Sequence, residues 1–318
     1  DIGFDLNLFN DRIQLVADYY QKKTTDLLMK VKLPTSSGFT SIVQNVGSIR
    51  NRGWELQITS RNIDNVFKWT STLTLSQDKT KVLDRGKDVD GNPITYLESG
   101  SGGNWFPIML GKSMRQLYGY EVTGVYQSDE EAIQNGEPTK KAGDYKFKNF
   151  DGQGNVDDSD KRILTHLEPK LMFGFNNTFN YKNFDLSVLL VGTLGNDVVN
   201  EFRKYNLTVN GNWTPTREAF NNRWQGQGTS NKIDKPSKNS ASSVRDYANS
   251  LWVEDGSYLR VRDITLGYTF PKNMTRLVSS LRIYVSAQNL FTITNYSGYD
   301  PEAVWSANTE INGWDRGV

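Results

Sequence analysis

The sequence predicts an all-β protein, and three observations support this prediction. Apolar and polar residues alternate with a period of two along most of the long segments. These segments meet in pairs across short polar turns, as the strands of antiparallel hairpins do. The connections between segments are alternately short and long, which is typical of outer-membrane barrels with trimmed turns at one end and long loops at the other. We therefore predict a transmembrane antiparallel β-barrel.

The hairpins follow one another along the chain in the order that a barrel requires. Short turns are predicted at 10–11, 63–65, 182–183 and 271–280. The long connections are predicted at 33–44, 78–170, 195–250 and from 292 onward, and we expect 78–170 and 195–250 to be long extracellular loops. About nine to ten strands are expected, several of them longer than the roughly nine to eleven residues that cross a bilayer. Such strands would project beyond the membrane.

Aromatic residues gather beside the short turns, at Tyr19, Trp69, Tyr181 and Tyr268 among others. An interfacial belt of aromatic side chains explains this clustering. An ordinary antiparallel sheet, whose aromatic residues simply follow β-propensity, explains it too. Both interpretations remain open on the pattern alone.

Composition excludes several classes of protein. Lys and Arg number 37 against 36 Asp and Glu, so no charge excess points to nucleic acid. There is no cysteine and one histidine, His166, which excludes thiolate metal sites and multi-histidine metal sites. Mean hydropathy is −0.60, and no apolar run is long enough for a transmembrane helix. A strand-built membrane protein is compatible with all of these numbers.

Five blocks of sequence resemble the SusC/RagA-type TonB-dependent transporters of Bacteroidetes outer membranes. The first block comprises DLNLFNDR at 5–12, ADYYQK at 17–22 and TDLL at 25–28, and the second is NVGSIRNRGWEL at 45–56. The third is the stretch from Gly143 to Asp160, and the fourth is EDGSYLRVR at 254–262. The fifth comprises QNLFT at 288–292 and YSGYDPE at 296–302. The matches spread over nearly the whole chain and occur in order, which is far more specific than any one motif.

The resemblance implies a 22-stranded barrel with an N-terminal plug domain, of which these residues are a C-terminal portion. It implies a segment that engages TonB, a SusD-like lipoprotein lid, and import of oligosaccharides or peptides through the outer membrane. Plug, TonB-contacting segment and the first half of the barrel would lie outside these residues. Partners are therefore expected to be the lid, TonB, outer-membrane lipid and the substrate.

One loop has the spacing of a calcium site. Oxygen-bearing side chains occupy loop positions 1, 3, 5, 7, 9 and 12, with glycine at position 6, at Asn149, Asp151, Gln153, Asn155, Asp157 and Asp160. Asn and Gln at positions 1 and 5 lower the charge, and aspartate reaches less far than the usual glutamate at position 12. A solvated acidic turn without an ion is the alternative. Calcium is the only cofactor that the sequence suggests.

Two short helices are predicted in the long connections. Ser128 with Glu131 fits a capping box, and 216–224 reads as a helix with Phe220 and Trp224 on one face. Trp213 and Trp224 are candidates for ligand or lid contact, although packing against the loops is the more frequent role of such residues.

No enzyme is expected, because neither a nucleophile-elbow spacing nor a usable acid–base pair occurs. The alternative to a transporter is a β-rich surface module that binds carbohydrate or acts as an adhesin. The two differ in whether apolar rows face lipid or protein.

Overall fold

The computed structural model describes residues 1–33, 35–39, 41–87, 91–97, 105–114, 116–207, 214–237, 248–271, 278, 280–302 and 314–315. The chain forms two compact units. The first, here called the sheet unit, comprises Asp1–Asn92, Glu168–Asn196 and Gly256–Asn295. The second, the loop unit, comprises Pro93–Leu167, Asp197–Asp255 and Tyr296–Val318.

The sheet unit is one antiparallel sheet of long strands. Its strands are β1 (Ile2–Leu8), β2 (Ile13–Lys32), β3 (Ser41–Asp64), β4 (Phe67–Arg85), β11 (Leu171–Tyr181), β12 (Phe184–Leu194), β15 (Tyr258–Thr269) and β16 (Arg282–Thr294). They lie side by side in chain order, with β1 and β16 at the edges. The described residues thus give eight strands in this sheet rather than the nine to ten expected, because the remaining short strands pair within the loop unit.

Register lines up the apolar side chains into rows that cross the whole sheet. One row contains an apolar residue from each of the eight strands: Leu6, Leu15, Ile58, Leu73, Phe175, Leu190, Val261 and Phe291. The adjacent row is polar on five of these strands, β1, β2, β3, β4 and β11, where it contains Asn7, Gln14, Thr59, Thr72 and Asn176. A two-residue period therefore gives the sheet one apolar face and one polar face.

The strand ends agree with the predicted turns to within a few residues. Lys182 and Asn183 join β11 to β12 as predicted, and Lys182 takes a positive φ of 52°. The second turn lies at Asn65–Val66 rather than 63–65. β4 continues to Arg85, so the connection predicted to begin at 78 starts after that residue. Alternating polar residues keep this strand regular well beyond the apolar rows.

The aromatic residues beside the short turns contact one another across strands. Trp69 and Phe179 have ring centroids 5.8 Å apart, and Phe184 and Tyr268 are 4.7 Å apart. Tyr268 also meets Phe270 edge to face at 5.0 Å. These pairs form a belt near the short-turn end of the apolar face.

The loop unit is built from short elements around its own core. Its strands are β5 (Tyr96–Leu97), β6 (Ile108–Met109), β7 (Gln116–Gly119), β8 (Val122–Val125), β9 (Tyr145–Phe147), β10 (Arg162–His166), β13 (Asp197–Asn200), β14 (Val253–Asp255) and β17 (Trp314–Asp315). Its helices are α1 (Asp129–Gln134), α2 (Glu201–Asn206) and α3 (Arg217–Asn222), with 3₁₀ turns at Asp158–Asp160 and Ser250–Trp252; a further 3₁₀ turn, Thr35–Ser37, lies in the sheet unit. Trp105, Leu117, Tyr145 and Trp252 lie in the buried core of the loop unit.

The two predicted helices form, with local differences. Ser128 caps α1, but the Glu131 carboxylate reaches back to the backbone N–H of Gln127 rather than to that of Ser128. Helix α3 ends at Asn222, so Trp224 lies beyond it and does not share a helix face with Phe220 as predicted. Among the described helices, none has the length and apolar character needed to traverse a bilayer.

Candidate functional site

The polar face of the sheet unit is a hydrogen-bonded wall. The Thr59 and Thr72 hydroxyls lie 3.3 Å apart on neighbouring strands, and the Tyr20 hydroxyl donates to Asp78 at 3.1 Å. Polar groups that pair with one another in this way make this face of the sheet hydrophilic.

An arginine crosses a strand on this wall. Arg282 on β16 reaches over β15 to Asp185 on β12, with Nε 3.1 Å from Oδ1. Gly267 lies beneath the guanidinium, and a Cβ at that position would come within 2.4 Å of Arg282 Nη2. The absence of a side chain at Gly267 therefore makes room for the ion pair, which is bidentate.

Arg260 lies at a second position on the wall. Its Nε donates to the Thr292 hydroxyl at 2.9 Å, its guanidinium lies over the Tyr258 ring at 5.2 Å, and the residue is buried. Arg260 therefore holds β15 and β16 together.

The loop unit contains a polar cleft of about 470 Å³, lined by Val125, Gln127, Glu131, Gln227, Ser230 and Asn231. Gln127 fixes its shape, because its amide donates to the carbonyls of Val125 and Ser230 and accepts from the Gly228 N–H. The Gln127 N–H and the Lys146 ammonium hold the pKa of Glu131 below its usual value. The cleft therefore presents amide groups, a hydroxyl, and one ionised carboxylate whose charge is balanced by Lys146.

The Trp224 side chain packs against the core of the loop unit instead of projecting into solvent. Its ring lies over Gly143, where an added Cβ would come within 2.7 Å of Cε3, and its backbone N–H donates to the Ile233 carbonyl at 3.0 Å. Its indole N–H points to Gln127 Oε1 at 3.4 Å, beside the cleft. The side chain is half-buried against the core of the loop unit. Contact with ligand or lid stays a prediction for Trp224, while Trp213 lies outside the described residues.

The calcium-loop candidates turn their oxygens toward the loop itself. Asp160 is 1% exposed, and its two carboxylate oxygens accept from the Phe150 and Asp157 N–H groups at 2.6 and 3.0 Å. Three further side chains of the set accept backbone N–H groups in the same way, namely Asn149, Asp151 and Asp157. Gln153 and Asn155 are exposed. Over the described residues, no group of three or more His, Cys, Asp or Glu side chains is arranged to hold a metal ion.

We infer that this geometry disfavours a calcium ion, because the carboxylate at position 12 already accepts two backbone amides. We expect about 1 mM calcium to leave amide exchange in residues 149–160 unchanged. Replacement of Asp160 by Asn should lower the local stability of this loop by about 1–3 kcal/mol, with or without calcium. Amide exchange in the loop should become correspondingly faster. Calcium-dependent protection that Asp160→Asn abolishes would contradict this expectation and restore the metal site.

A carboxyl group in the loop unit is held in an unfavourable setting. Burial, and then the negative charge of Asp144, raises the pKa of Asp234 to about 7. Asp234 Oδ1 has no hydrogen-bond partner in the part of the chain that the structure describes. Lys235 is engaged by Asp144 at 3.2 Å and so offsets the charge of Asp234 only weakly.

Loop-unit stability should therefore depend on pH. Between the unfolded pKa of about 4 and the folded value of about 7, folded Asp234 keeps a proton that the unfolded chain has lost. Stability then falls as pH rises through this window, by on the order of 2–4 kcal/mol. Asp234→Asn should remove most of the dependence in amide-exchange measurements on the loop unit, whereas the exposed control Asp151→Asn should retain it. An unchanged pH profile in Asp234→Asn would contradict the assignment.

Comparisons with known proteins agree with the two-faced sheet. The sequence matches the family described as "TonB dependent receptor-like, beta-barrel" over residues 1–290. It is 34% identical over 314 residues to TonB-dependent receptor P3 of Formosa agariphila, covering 95% of this chain and 30% of that protein. It is 31% identical over 326 residues to TonB-dependent receptor SusC of Bacteroides thetaiotaomicron, covering 99% of this chain and 30% of that protein. The chain thus spans about 30% of the length of these relatives.

Solved structures show the same fold. A structure of the RagAB peptide transporter superposes with a TM-score of 0.75 at 20% identity, covering 94% of this chain and 32% of that one. The structure of the RagAB peptide importer in the open-open state superposes with a TM-score of 0.75 at 21% identity. The match covers 98% of this chain and 32% of that one. With the apolar rows, the polar wall and the family match together, the chain belongs to the TonB-dependent receptor family, as part of its outer-membrane β-barrel.

Proposed function

We propose that this chain forms part of the barrel of an active outer-membrane importer of oligosaccharides or peptides. The two faces of the sheet unit carry the proposal, because a wall that is apolar on one side and hydrogen-bonded on the other suits a conduit through lipid. The SusC relative and the family resemblance support energy supply through TonB and a SusD-like lipoprotein lid. The transport of peptides named for the RagAB structures supports the peptide alternative.

In this proposal the loop unit receives substrate beneath the lid. Its cleft offers the Asn231 amide and the Ser230 hydroxyl, beside a Gln127 amide that is engaged by backbone groups. Such neutral donors and acceptors suit sugar hydroxyls and peptide amides alike. Substrate would then pass along the polar wall once TonB has displaced the plug.

Energy-dependent uptake tests the proposal. A strain that lacks the whole receptor gene, and the same strain carrying it, would be offered labelled oligosaccharides and labelled peptides with and without a proton uncoupler. We expect one class to accumulate only with the receptor and only without the uncoupler. Surface binding that survives the uncoupler, with no accumulation, would favour the adhesin alternative instead.

Lid association can be tested at the candidate tryptophans. Trp224→Ala removes the side chain that packs over Gly143, so the segment around the cleft should loosen and lid binding weaken. Trp224→Phe, which keeps an aromatic ring there, is the control. Pull-down of the SusD-like lipoprotein with the whole receptor measures the effect. Unchanged lid binding and uptake in Trp224→Ala and in Trp213→Ala would count against both assignments.

A further inference from the structure

A cluster of positive charge lies on the apolar face of the sheet unit, beyond the last apolar row. It consists of Lys23, Arg50, Arg52, Lys79 and Lys81, and is called the basic band below. Lys23, Arg50 and Lys81 align across β2, β3 and β4, and Arg52 aligns with Lys79 in the next row. No bulge interrupts these strands between the basic band and the apolar rows, so all five residues share their face.

The basic band begins where the apolar rows end. The row of Tyr19, Trp54 and Gln77 separates the two. From Phe67 to Gln77, β4 covers about 34 Å, which at a tilt of about 45° is a height of about 24 Å. An outer-membrane barrel has an apolar band about 25 Å tall. Lys79 and Lys81 therefore lie about 5–10 Å beyond the hydrocarbon, at the depth of lipid headgroups.

The basic band faces the outer leaflet. It lies at the end of the sheet where the long connections leave, since β2 ends at Lys32 and β4 at Arg85. The short turns lie at the opposite end. In outer-membrane barrels the long loops are extracellular.

The charges are not neutralised within the described residues. None of the five basic side chains forms an ion pair there, and all except the half-buried Arg50 are exposed. Like charges on neighbouring strands destabilise a sheet unless a counter-ion is present. Three carboxylates in the neighbouring part of the same strands, Asp18, Glu55 and Asp78, lie on the polar face.

Two further carboxylates lie beyond the basic band and do not alter this account. Asp26 and Asp84 line a pocket together with Lys23. Asp84 Oδ1 accepts from the backbone N–H groups of Arg85 and Gly86 at 2.7 and 2.9 Å. Asp26 Oδ2 accepts from the Thr25 hydroxyl.

We propose that the basic band binds the phosphate of a lipid headgroup in the outer leaflet. Guanidinium groups recognise phosphate oxygens in pairs, and ammonium groups add point charges. A phosphorylated glycolipid such as lipid A supplies this anion at the required depth. The bound lipid neutralises the repulsion between the strands and anchors the part of β2, β3 and β4 that projects from the membrane.

The test uses the whole receptor in detergent, titrated with phosphorylated lipid A and followed by native mass spectrometry. The variant is Arg52→Gln with Lys79→Gln and Lys81→Gln. The matched control, Lys22→Gln with Arg61→Gln and Lys68→Gln, removes the same charge from the polar face of the same strands. Since each basic residue at an anionic surface is worth about fivefold in affinity, we expect the variant to bind at least about thirtyfold more weakly. The control should stay within about twofold.

Further arms separate this proposal from its alternatives. Lipid A stripped of phosphate should bind as weakly to the unmodified receptor as phosphorylated lipid A binds to the variant. A charge-preserving variant, Arg52→Lys with Lys79→Arg and Lys81→Arg, should retain binding. The proposal is overturned if the Gln variant binds normally, if the control loses as much affinity, or if millimolar inorganic phosphate displaces the lipid. It is also overturned if the Gln variant loses only the lipoprotein lid, because the basic band would then be a protein interface.

Discussion

Arginine in place of Leu73 should destabilise the barrel by about 2–4 kcal/mol. Leu73 lies in the apolar row between Ile58 and Phe175. It is six residues from the start of β4, close to the middle of the apolar band at a tilt of about 45°. A guanidinium at this depth must displace lipid or draw water into hydrocarbon.

The neighbouring residue supplies the control for Leu73→Arg. Thr74 is exposed on the polar face, so Thr74→Arg should cost less than about 0.5 kcal/mol. Urea unfolding of the whole receptor in lipid vesicles measures both variants. Equal effects of the two substitutions, or a larger effect of Thr74→Arg, would mean that the apolar rows do not face lipid.

Truncation of Trp252 to Ala should destabilise the loop unit by about 3–5 kcal/mol. Trp252 is 0% exposed and belongs to the buried cluster that includes Leu117 and Val199. Loss of the indole leaves a cavity among short elements that cannot close around it.

Amide exchange on the whole receptor should locate the effect of Trp252→Ala. We expect faster exchange in the loop unit and unchanged exchange in β11 and β12, because Trp252 packs against residues of the loop unit. Phe220→Ala is the control, since Phe220 is 55% exposed in the same unit. Faster exchange spread equally over the sheet strands would contradict the division into two units.

The two-residue periodicity of the sequence was sufficient to predict the strands and turns of the sheet unit to within a few residues. Phe173, Phe175 and Phe179 alternate with small or polar residues, and two-residue turns such as Lys182–Asn183 fix the register of the hairpins. The predicted alternation of short and long connections follows directly from this register. The strand count was less accurate, because pairing of short segments inside long connections leaves no periodic pattern.

The loop unit could not be predicted in the same way. Its core joins Trp105, Tyr145 and Trp252, which are far apart in sequence and follow no common period. Trp224 was assigned to a helix because it lies four residues after Phe220, but the chain leaves the helix at Asn222. The cleft around Gln127 was missed, since its residues are polar, scattered and brought together only by long-range hydrogen bonds.

The basic band did carry a signal in the sequence. Arg50 and Arg52 have the same parity as Trp54, Leu56 and Ile58, so alternation alone places them on the lipid side of β3. Their significance depends on register, since only the alignment with Lys79 and Lys81 turns single residues into a cluster. Sequence spacing does not provide that alignment.

Site-directed spin labelling along β4 is the most direct test of the central claim, which is that alternate side chains meet hydrocarbon and water. The chain has no cysteine. Thr72, Leu73, Thr74 and Leu75 can therefore each be replaced by cysteine, one at a time, and spin-labelled in a whole receptor from which any other cysteine has been removed. In bilayers we predict that oxygen relaxes the labels at Leu73 and Leu75 most, while a water-soluble nickel complex relaxes those at Thr72 and Thr74. Accessibility that does not alternate, or alternates in the opposite sense, would contradict the account.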